Sequence, residues 1–163
     1  MAAKSSPALT VTMPSDRELT ITRVFDAPRT LVWEAYTSPG HLPHWMLGPP
    51  GWTMPVCEID LRPGGAWRWA WAHSDGSRME MHGVYKEVAP PERVVSTESW
   101  GGDWPETVNT VTFTEEDGRT TLAITILYPS KEARDAALQT GMTKGMEMSY
   151  DRLAAHLETM AGA

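Results

Sequence analysis

Residues 129–160 read PSKEARDAALQTGMTKGMEMSYDRLAAHLETM, and this stretch decides the fold. Pro129 and Ser130 give a helix start signal with Ser130 as the N-cap, and no proline follows up to Met160. Apolar side chains then recur at spacings of three and four, which predicts one apolar stripe facing a core. The stripe consists of Leu138, Met142, Met146 or Ser149, Leu153 and Leu157. The sequence therefore predicts a helix of about thirty residues that needs a surface to lie on.

Upstream, the pattern changes from a strand to two short helices. Apolar and polar side chains alternate over residues 18–25, which is typical of a half-buried first strand. Asp26 and Pro28 follow as an N-cap and a first-turn proline, so a short helix begins there. A second short helix is predicted over residues 41–45, before a rigid loop rich in Gly and Pro.

The middle of the chain is a series of strands separated by turn signals rich in Gly, Pro and Asp. The predicted strands cover residues 52–61, 66–73, 79–88, 93–100, 107–114 and 120–128. Short turns make neighbouring strands antiparallel. The order of elements predicts an α+β fold, in which a curved antiparallel sheet wraps around a long C-terminal helix and two short helices lie between the first and second strands.

Composition limits the class of protein. The chain has 163 residues and a net charge of -7, which fits one core and argues against nucleic acid as a partner. We assign a single domain to residues 18–160 and a flexible N-terminal arm to residues 1–17, which are rich in Ser, Ala, Thr and Pro. No run resembles a membrane span or a signal-peptide core, which predicts a cytoplasmic protein with no membrane partner.

Short motifs follow one another along residues 18–157. They are Arg23-Val24-Phe25-Asp26-Ala27-Pro28, Val32-Trp33, His41-Leu42 to Trp45, Gly48-Pro49, Asp60-Leu61-Arg62-Pro63-Gly64-Gly65, Gly83-Val84-Tyr85, Pro90-Pro91-Glu92-Arg93-Val94-Val95, Gly141-Met142, Gly145 and Asp151-Arg152-Leu153. Together they resemble the SRPBCC superfamily (START-like, birch-pollen-allergen-like), in the branch named after the activator of heat-shock-protein ATPase. The resemblance implies a helix-grip fold with a deep cavity between sheet and long helix, commonly used for apolar or aromatic ligands. It implies no single reaction.

Two positions depart from the family pattern. The family usually has a Trp-Trp-Gly-Pro run where this chain reads Trp45-Met46-Leu47-Gly48-Pro49. A Trp that is frequent after the second helix glycine is Met146 here. Both positions fall where the family's cavity is expected, so the pocket of this chain has its own lining.

Tryptophan and methionine supply the candidate ligand contacts. Trp67, Trp69 and Trp71 alternate along one strand, so they share one face at spacings of about 7 Å and form either a stacking surface or core filling. Methionines on the strands and the helix suit an adaptable cavity or fill gaps in a core. Gly141 and Gly145 make room beside the helix methionines. The predicted ligand-binding residues are Trp45, Trp52, Met54, Trp67, Trp69, Trp71, Met81, Met142 and Met146, with Trp45 and Trp52 near the entrance.

Histidines and the single cysteine give weaker signals. His41 and His44 have a spacing that can place two imidazoles on one metal, but no suitably spaced third ligand is evident and we predict no metal site. His73 or His82 enters the cavity as a general base or hydrogen-bond partner if the strand register points it inward, and otherwise lies at the surface. Cys57 allows no internal disulfide and has no visible His partner, so we interpret it as a small buried apolar residue.

Three acids and one arginine remain as candidates for buried charges. Glu80, Glu98 and Glu106 are candidate buried acids, although alternation places Glu80 opposite its methionine neighbours and hence in solvent. Arg23 shares the apolar parity of the first strand. It forms either a structural ion pair with an acid such as Asp60 or Glu98, or a clamp for an anionic ligand group.

Three functional hypotheses follow, and the catalytic residues are unknown in all of them. The first is a protein that binds a small hydrophobic or aromatic molecule between sheet and C-terminal helix, with no cofactor. The second is an enzyme of the polyketide cyclase/hydrolase type, acting on an aromatic substrate in the same cavity with a His or an acid as general acid or base. The third is an interaction module like the chaperone activator. Exposed sheet edges also make a homodimer a possible assembly.

Overall fold

An antiparallel sheet and three α-helices form the fold. The computed structural model describes residues 9–101 and 104–161. The strands are β1 (Thr10–Thr12), β2 (Glu18–Phe25), β3 (Trp52–Ile59), β4 (Ala66–His73), β5 (Arg78–Ala89), β6 (Arg93–Glu98), β7 (Thr107–Glu116) and β8 (Arg119–Leu127). The helices are α1 (Arg29–Thr37), a 3₁₀ helix (Leu42–His44), α2 (Lys131–Leu138) and α3 (Met142–Ala161).

The strands form one sheet in the order β1-β2-β8-β7-β6-β5-β4-β3. From β3 to β8 the chain is a meander of antiparallel neighbours, as the turn signals predicted. The β2 strand pairs with β8, so α1 and the 3₁₀ helix connect one half of the sheet to its far edge at β3. The predicted helix-grip architecture is confirmed, including the two short helices between β2 and β3.

Burial alternates along the neighbouring strands β2 and β8, because each presents one face to the helices and the other to solvent. The inward apolar side chains are Leu19, Ile21, Phe25, Leu122, Ile124 and Ile126, each at most 4% exposed. Each such side chain stabilises the fold by roughly 1.5–3 kcal/mol through burial. Thr120 is also buried, and its hydroxyl donates to the carbonyl oxygen of Ala27 at 2.6 Å, which fixes the entry to α1.

Residues 149–157 of α3 supply the apolar face that the sheet covers. Its buried residues are Ser149, Tyr150, Leu153 and Leu157, at the three- and four-residue spacing that predicted the stripe. Tyr150 packs edge-on against Phe25, with ring centroids 5.9 Å apart. Beside it, the buried Arg23 guanidinium donates to Asp151 at 2.7 Å. Arg23 therefore forms a structural ion pair, as one of the two interpretations predicted, but its partner is Asp151 and not Asp60 or Glu98.

The prediction of one continuous thirty-residue helix is wrong. Ser130 is the N-cap of α2, where its hydroxyl accepts a hydrogen bond from the Ala133 amide at 3.1 Å, but α2 ends at Leu138. Gly141 has a φ of +84°, which a right-handed helix cannot contain, and α3 begins at the next residue. The segment is therefore two helices, and the break lies beside the cavity described below.

The structure also differs from the expectation of a flexible arm over residues 1–17. Within that range Thr10–Thr12 forms β1 and pairs with Thr20–Thr22 of β2. A three-residue strand is too short to show a periodic pattern, but Thr-Val-Thr has high strand propensity and the edge of β2 offers unpaired backbone groups. Residues 1–8 lie outside the described residues.

Candidate ligand cavity

A cavity of about 580 Å³ lies between the concave face of the sheet and the helices. Strands β3 to β8 contribute one side of its lining. The other side includes the end of α1, α2, the N-terminal half of α3 and the loop 46–49. This volume is within the range of natural small-molecule sites.

A row of three tryptophans on β4 forms one wall. Trp67, Trp69 and Trp71 are at most 9% exposed and line the cavity together. Neighbouring ring centroids are 4.7 and 6.0 Å apart. Period-two alternation places all three on the inner face. Gly83 lies opposite Trp67 on β5, where a Cβ would overlap the Thr97 carbonyl oxygen and would lie 2.8 Å from Trp67 Nε1.

The hydrogen bonds of the three indoles differ. Trp71 Nε1 donates to the carbonyl oxygen of Met46 at 2.8 Å, and the Trp71 ring stacks on Trp100 at a centroid distance of 5.8 Å. The Nε1 atoms of Trp67 and Trp69 are buried and have no hydrogen-bond partner among the described residues. These two indole donors thus lack an acceptor, and protein atoms cover both nitrogens.

The opposite wall is formed by α3 and the loop before β3. Met142, Gly145 and Met146 line the cavity, and a Cβ added at Gly145 would meet only Pro49 Cδ, at 3.9 Å. The Gly48 amide donates to Ser149 Oγ at 2.8 Å and so joins the loop to the helix. Flexible thioether side chains and small residues form this wall, whereas the wall on β4 consists of rigid rings. Such a lining can adapt to the shape of a bound molecule.

One short strip of polar side chains crosses the otherwise apolar surface. It lies on β6 and β7, where Ser96 is opposite Asn109 and Glu98 is opposite Thr107 in the strand register. Thr107 Oγ1 donates to Asn109 Oδ1 at 3.0 Å, and Asn109 Nδ2 donates to Glu98 Oε1. From the other side Trp100 Nε1 donates to Glu98 Oε2 at 2.8 Å. Burial of this carboxyl group raises its pKa, and the two donors oppose that shift.

The remaining polar groups of the lining are hydroxyl groups, those of Tyr36, Thr37, Tyr85, Tyr128, Thr140 and Ser149. The Tyr36 hydroxyl lies 3.5 Å from that of the core residue Tyr150, and burial raises the pKa of each phenol. The Tyr128 hydroxyl donates to the Met142 sulfur at 3.6 Å, and burial raises the pKa of Tyr128 to about 12. These groups are therefore neutral near pH 7. Among the described lining residues there is no Lys, Arg or His, and Glu98 is the one carboxylate.

Seven of the nine predicted ligand-binding residues line the cavity: Trp52, Trp67, Trp69, Trp71, Met81, Met142 and Met146. The other two lie in the core. Trp45 is 0% exposed and its Nε1 donates to the carbonyl oxygen of Ala35 at 3.0 Å, so its predicted place at the entrance is wrong. Met54 is buried in the hydrophobic core and does not line the cavity. That the seven lining residues contact a ligand remains a prediction.

Neither candidate catalytic histidine reaches the cavity. His82 is exposed on the outer face of β5, and His73 packs against Trp52 at 4.9 Å outside the lining. Sequence reasoning named Glu98 as a candidate acid but did not assign it to the site. The signal was present, since Glu98 shares parity with the buried Val94 and Ser96 on β6.

The other singled-out residues lie away from the cavity. His41 Nδ1 is 2.9 Å from Nε2 of His156, on whose ring His44 stacks at 5.3 Å. Burial and the two neighbouring imidazoles lower the pKa of His156. No group of three or more His, Cys, Asp or Glu is placed to hold a metal in residues 9–101 and 104–161. Burial raises the pKa of the half-buried Cys57 thiol to about 11, so Cys57 is protonated and a poor nucleophile.

These features define a helix-grip protein with one cavity wall of tryptophans on the sheet and one of methionines on the C-terminal helix. The family model described as Activator of Hsp90 ATPase homolog 1-like protein matches residues 26–158, and the chain belongs to this family. The SRPBCC resemblance is thereby confirmed.

Solved structures agree with this assignment. A crystal structure of a protein from Rhodobacter sphaeroides is 30% identical, covers 93% of this chain and 98% of its own, and has a TM-score of 0.86. A protein from Mycobacterium smegmatis is also 30% identical, with coverages of 91% and 96% and a TM-score of 0.81. An AHSA1-like protein from Aeromonas hydrophila is 22% identical over 85% of this chain and 94% of its own, with a TM-score of 0.69, and shows the same fold.

A comparison with curated proteins found no match. Within the part of the chain that the structure describes, none of the helices has the length and apolar character that a bilayer crossing requires.

Proposed function

We propose that this protein binds a small, largely apolar aromatic molecule in the cavity between the sheet and α3. The observation that carries the proposal is the lining itself: a cavity of about 580 Å³ with three tryptophans on one side and methionines on the other. Offset or edge-on contacts with such rings contribute roughly 0.5–1.5 kcal/mol each beyond the burial of apolar area. A core that needed only filling would leave no space of this size.

A second candidate is an enzyme of the polyketide cyclase/hydrolase type, in which the Glu98 carboxyl group acts as general acid or base. Its raised pKa favours this role, because a carboxyl that titrates closer to neutrality transfers protons more effectively. With both candidate histidines outside the cavity, Glu98 is the residue on which such chemistry would depend.

The test is calorimetric titration with a panel of naphthalene, indole and flavone derivatives, checked by quenching of tryptophan fluorescence. Met146→Trp narrows the cavity and is expected to weaken binding by roughly tenfold or more, while Trp69→Ala removes a stacking surface and weakens it by roughly two- to tenfold. Met13→Trp, at a residue 55% exposed and outside the lining, is the matched control and leaves binding unchanged.

The outcomes separate the hypotheses. Saturable binding with unchanged compounds recovered after incubation supports a binding protein, and new products that disappear in Glu98→Gln support the enzyme. If no compound binds to the folded protein, the proposal is wrong and the interaction-module hypothesis gains weight.

A further inference from the structure

A single carboxylate sits in a cavity that is otherwise neutral. Glu98 lines the cavity from β6, and its two carboxylate oxygens each accept one hydrogen bond, from Asn109 Nδ2 and from Trp100 Nε1. Both donors are neutral groups. They stabilise the negative charge without cancelling it, and no Lys, Arg or His lies beside this half-buried acid among the described lining residues.

The carboxylate retains capacity for another donor. Two carboxylate oxygens offer about four acceptor positions, and only two are occupied here. The titratable side chains that interact electrostatically with Glu98 across the cavity are the phenols of Tyr36 and Tyr128, whose raised pKa values keep them uncharged. Neither can serve as a counter-ion. The described lining residues therefore supply no positive charge to Glu98.

Geometry connects this carboxylate with the aromatic wall. Trp100 donates to Glu98 through Nε1 while its ring stacks on Trp71, the end of the tryptophan row. A group bound at Glu98 therefore has an aromatic surface directly beside it. Charge-assisted hydrogen bonds to a carboxylate are about twice as strong as neutral ones, and a cation near an indole face gains further stabilisation.

We propose that the ligand of this cavity carries a cationic nitrogen, such as a protonated amine or amidine, that pairs with Glu98 while its aromatic body lies along the tryptophan row. The inference rests on the proposed binding function and names the chemical class of the ligand. The overall net charge of -7 supports it, since the field of the protein attracts cations and repels anions. An anionic ligand would find no described basic side chain in the lining and one opposing carboxylate.

The test uses three naphthalene probes that share one ring system and differ only in the charge of a one-carbon substituent: naphthalenemethylamine as its ammonium ion, naphthalenemethanol, and naphthalenecarboxylate. Dissociation constants are measured by calorimetry near neutral pH on the wild type. We expect the ammonium probe to bind roughly ten- to a hundredfold more tightly than the alcohol, and the carboxylate most weakly.

Substitutions assign the preference to one residue. Glu98→Gln keeps the size and a hydrogen-bonding amide but removes the charge, and is expected to bring the ammonium and alcohol affinities to within about threefold of each other. Glu106→Gln is the matched control, because it removes the same charge from an exposed residue outside the lining. It should leave the preference intact.

A pH series provides an independent readout. As pH falls, protonation of Glu98 removes its charge, so the ratio of ammonium to alcohol affinity declines towards one in the wild type and stays constant in Glu98→Gln. Equal affinities of the two probes for the wild type, or a preference that survives Glu98→Gln, would overturn the inference while leaving the cavity hypothesis standing. If all three probes fail to bind the folded protein, the proposed function itself fails.

Discussion

Two glycines four residues apart at the start of α3 are expected to respond to alanine in opposite directions. Gly145 lies inside the first turns of α3, where a Cβ meets only Pro49 Cδ at the ordinary contact distance of 3.9 Å. Gly145→Ala therefore gains helix propensity and lowers backbone freedom in the unfolded chain, worth about 0.5–1 kcal/mol. At Gly141 the Cβ meets nothing within 4 Å, but a φ of +84° is unfavourable for alanine, and Gly141→Ala should cost about 1–2 kcal/mol.

The assay is thermal and urea unfolding of both variants beside the wild type, followed by circular dichroism. For a domain of this size 1 kcal/mol corresponds to roughly 2–4 °C, so Gly145→Ala should raise Tm by about 1–4 °C and Gly141→Ala should lower it by at least about 2 °C. The steric environment is permissive at both positions, so only the backbone conformation distinguishes them. Shifts of the same sign, or a stabilised Gly141→Ala, would refute the break between α2 and α3.

Three further predictions concern stability and reactivity. Burial raises the pKa of Glu98 in the folded state, so the wild type loses stability as pH rises from the unfolded pKa of this group through its folded pKa. Glu98→Gln has no charge to bury and escapes this loss. The Tm of Glu98→Gln minus the Tm of the wild type should therefore increase from acidic to neutral pH. Burial raises the pKa of Cys57 from 9.0 to about 11, so its thiol should react with iodoacetamide near neutral pH about a hundredfold more slowly than a free cysteine peptide. Equal rates would contradict the burial of this thiol. Ser149→Ala removes the acceptor for the Gly48 amide and should cost about 1 kcal/mol, with faster hydrogen exchange at Gly48; unchanged exchange would mean that the contact does not hold the loop.

The strand pattern and the apolar face of α3 were predictable because each depends on local periodicity. Leu153 and Leu157 lie on the buried stripe that their spacing indicated, and the tryptophan row faces inward as alternation requires. Periodicity could not reveal the break at Gly141, since a glycine in a helical pattern is compatible both with a costly interior position and with a positive φ at a terminus.

The cavity was predicted in outline and missed in its polar part. Trp45 belongs to a short irregular segment, and its orientation into the core follows from the Ala35 carbonyl, which is distant from any local pattern. Glu98 gains its environment from Asn109 on the neighbouring strand and from Trp100 beyond the end of its own strand. Cross-strand register depends on the whole sheet, so single-strand parity indicated the direction of Glu98 but not its partners.

Methionine methyl NMR with an aromatic probe tests the cavity most directly. Five methionines line it, namely Met46, Met79, Met81, Met142 and Met146, whereas Met13 and Met160 do not and serve as internal controls. On titration with naphthalenemethylamine, ring currents should shift the lining methyl signals along one common saturation curve while the controls stay in place. Lining signals that do not move, or shifts of equal size at Met13 and Met160, would contradict a ligand bound between the tryptophan row and α3.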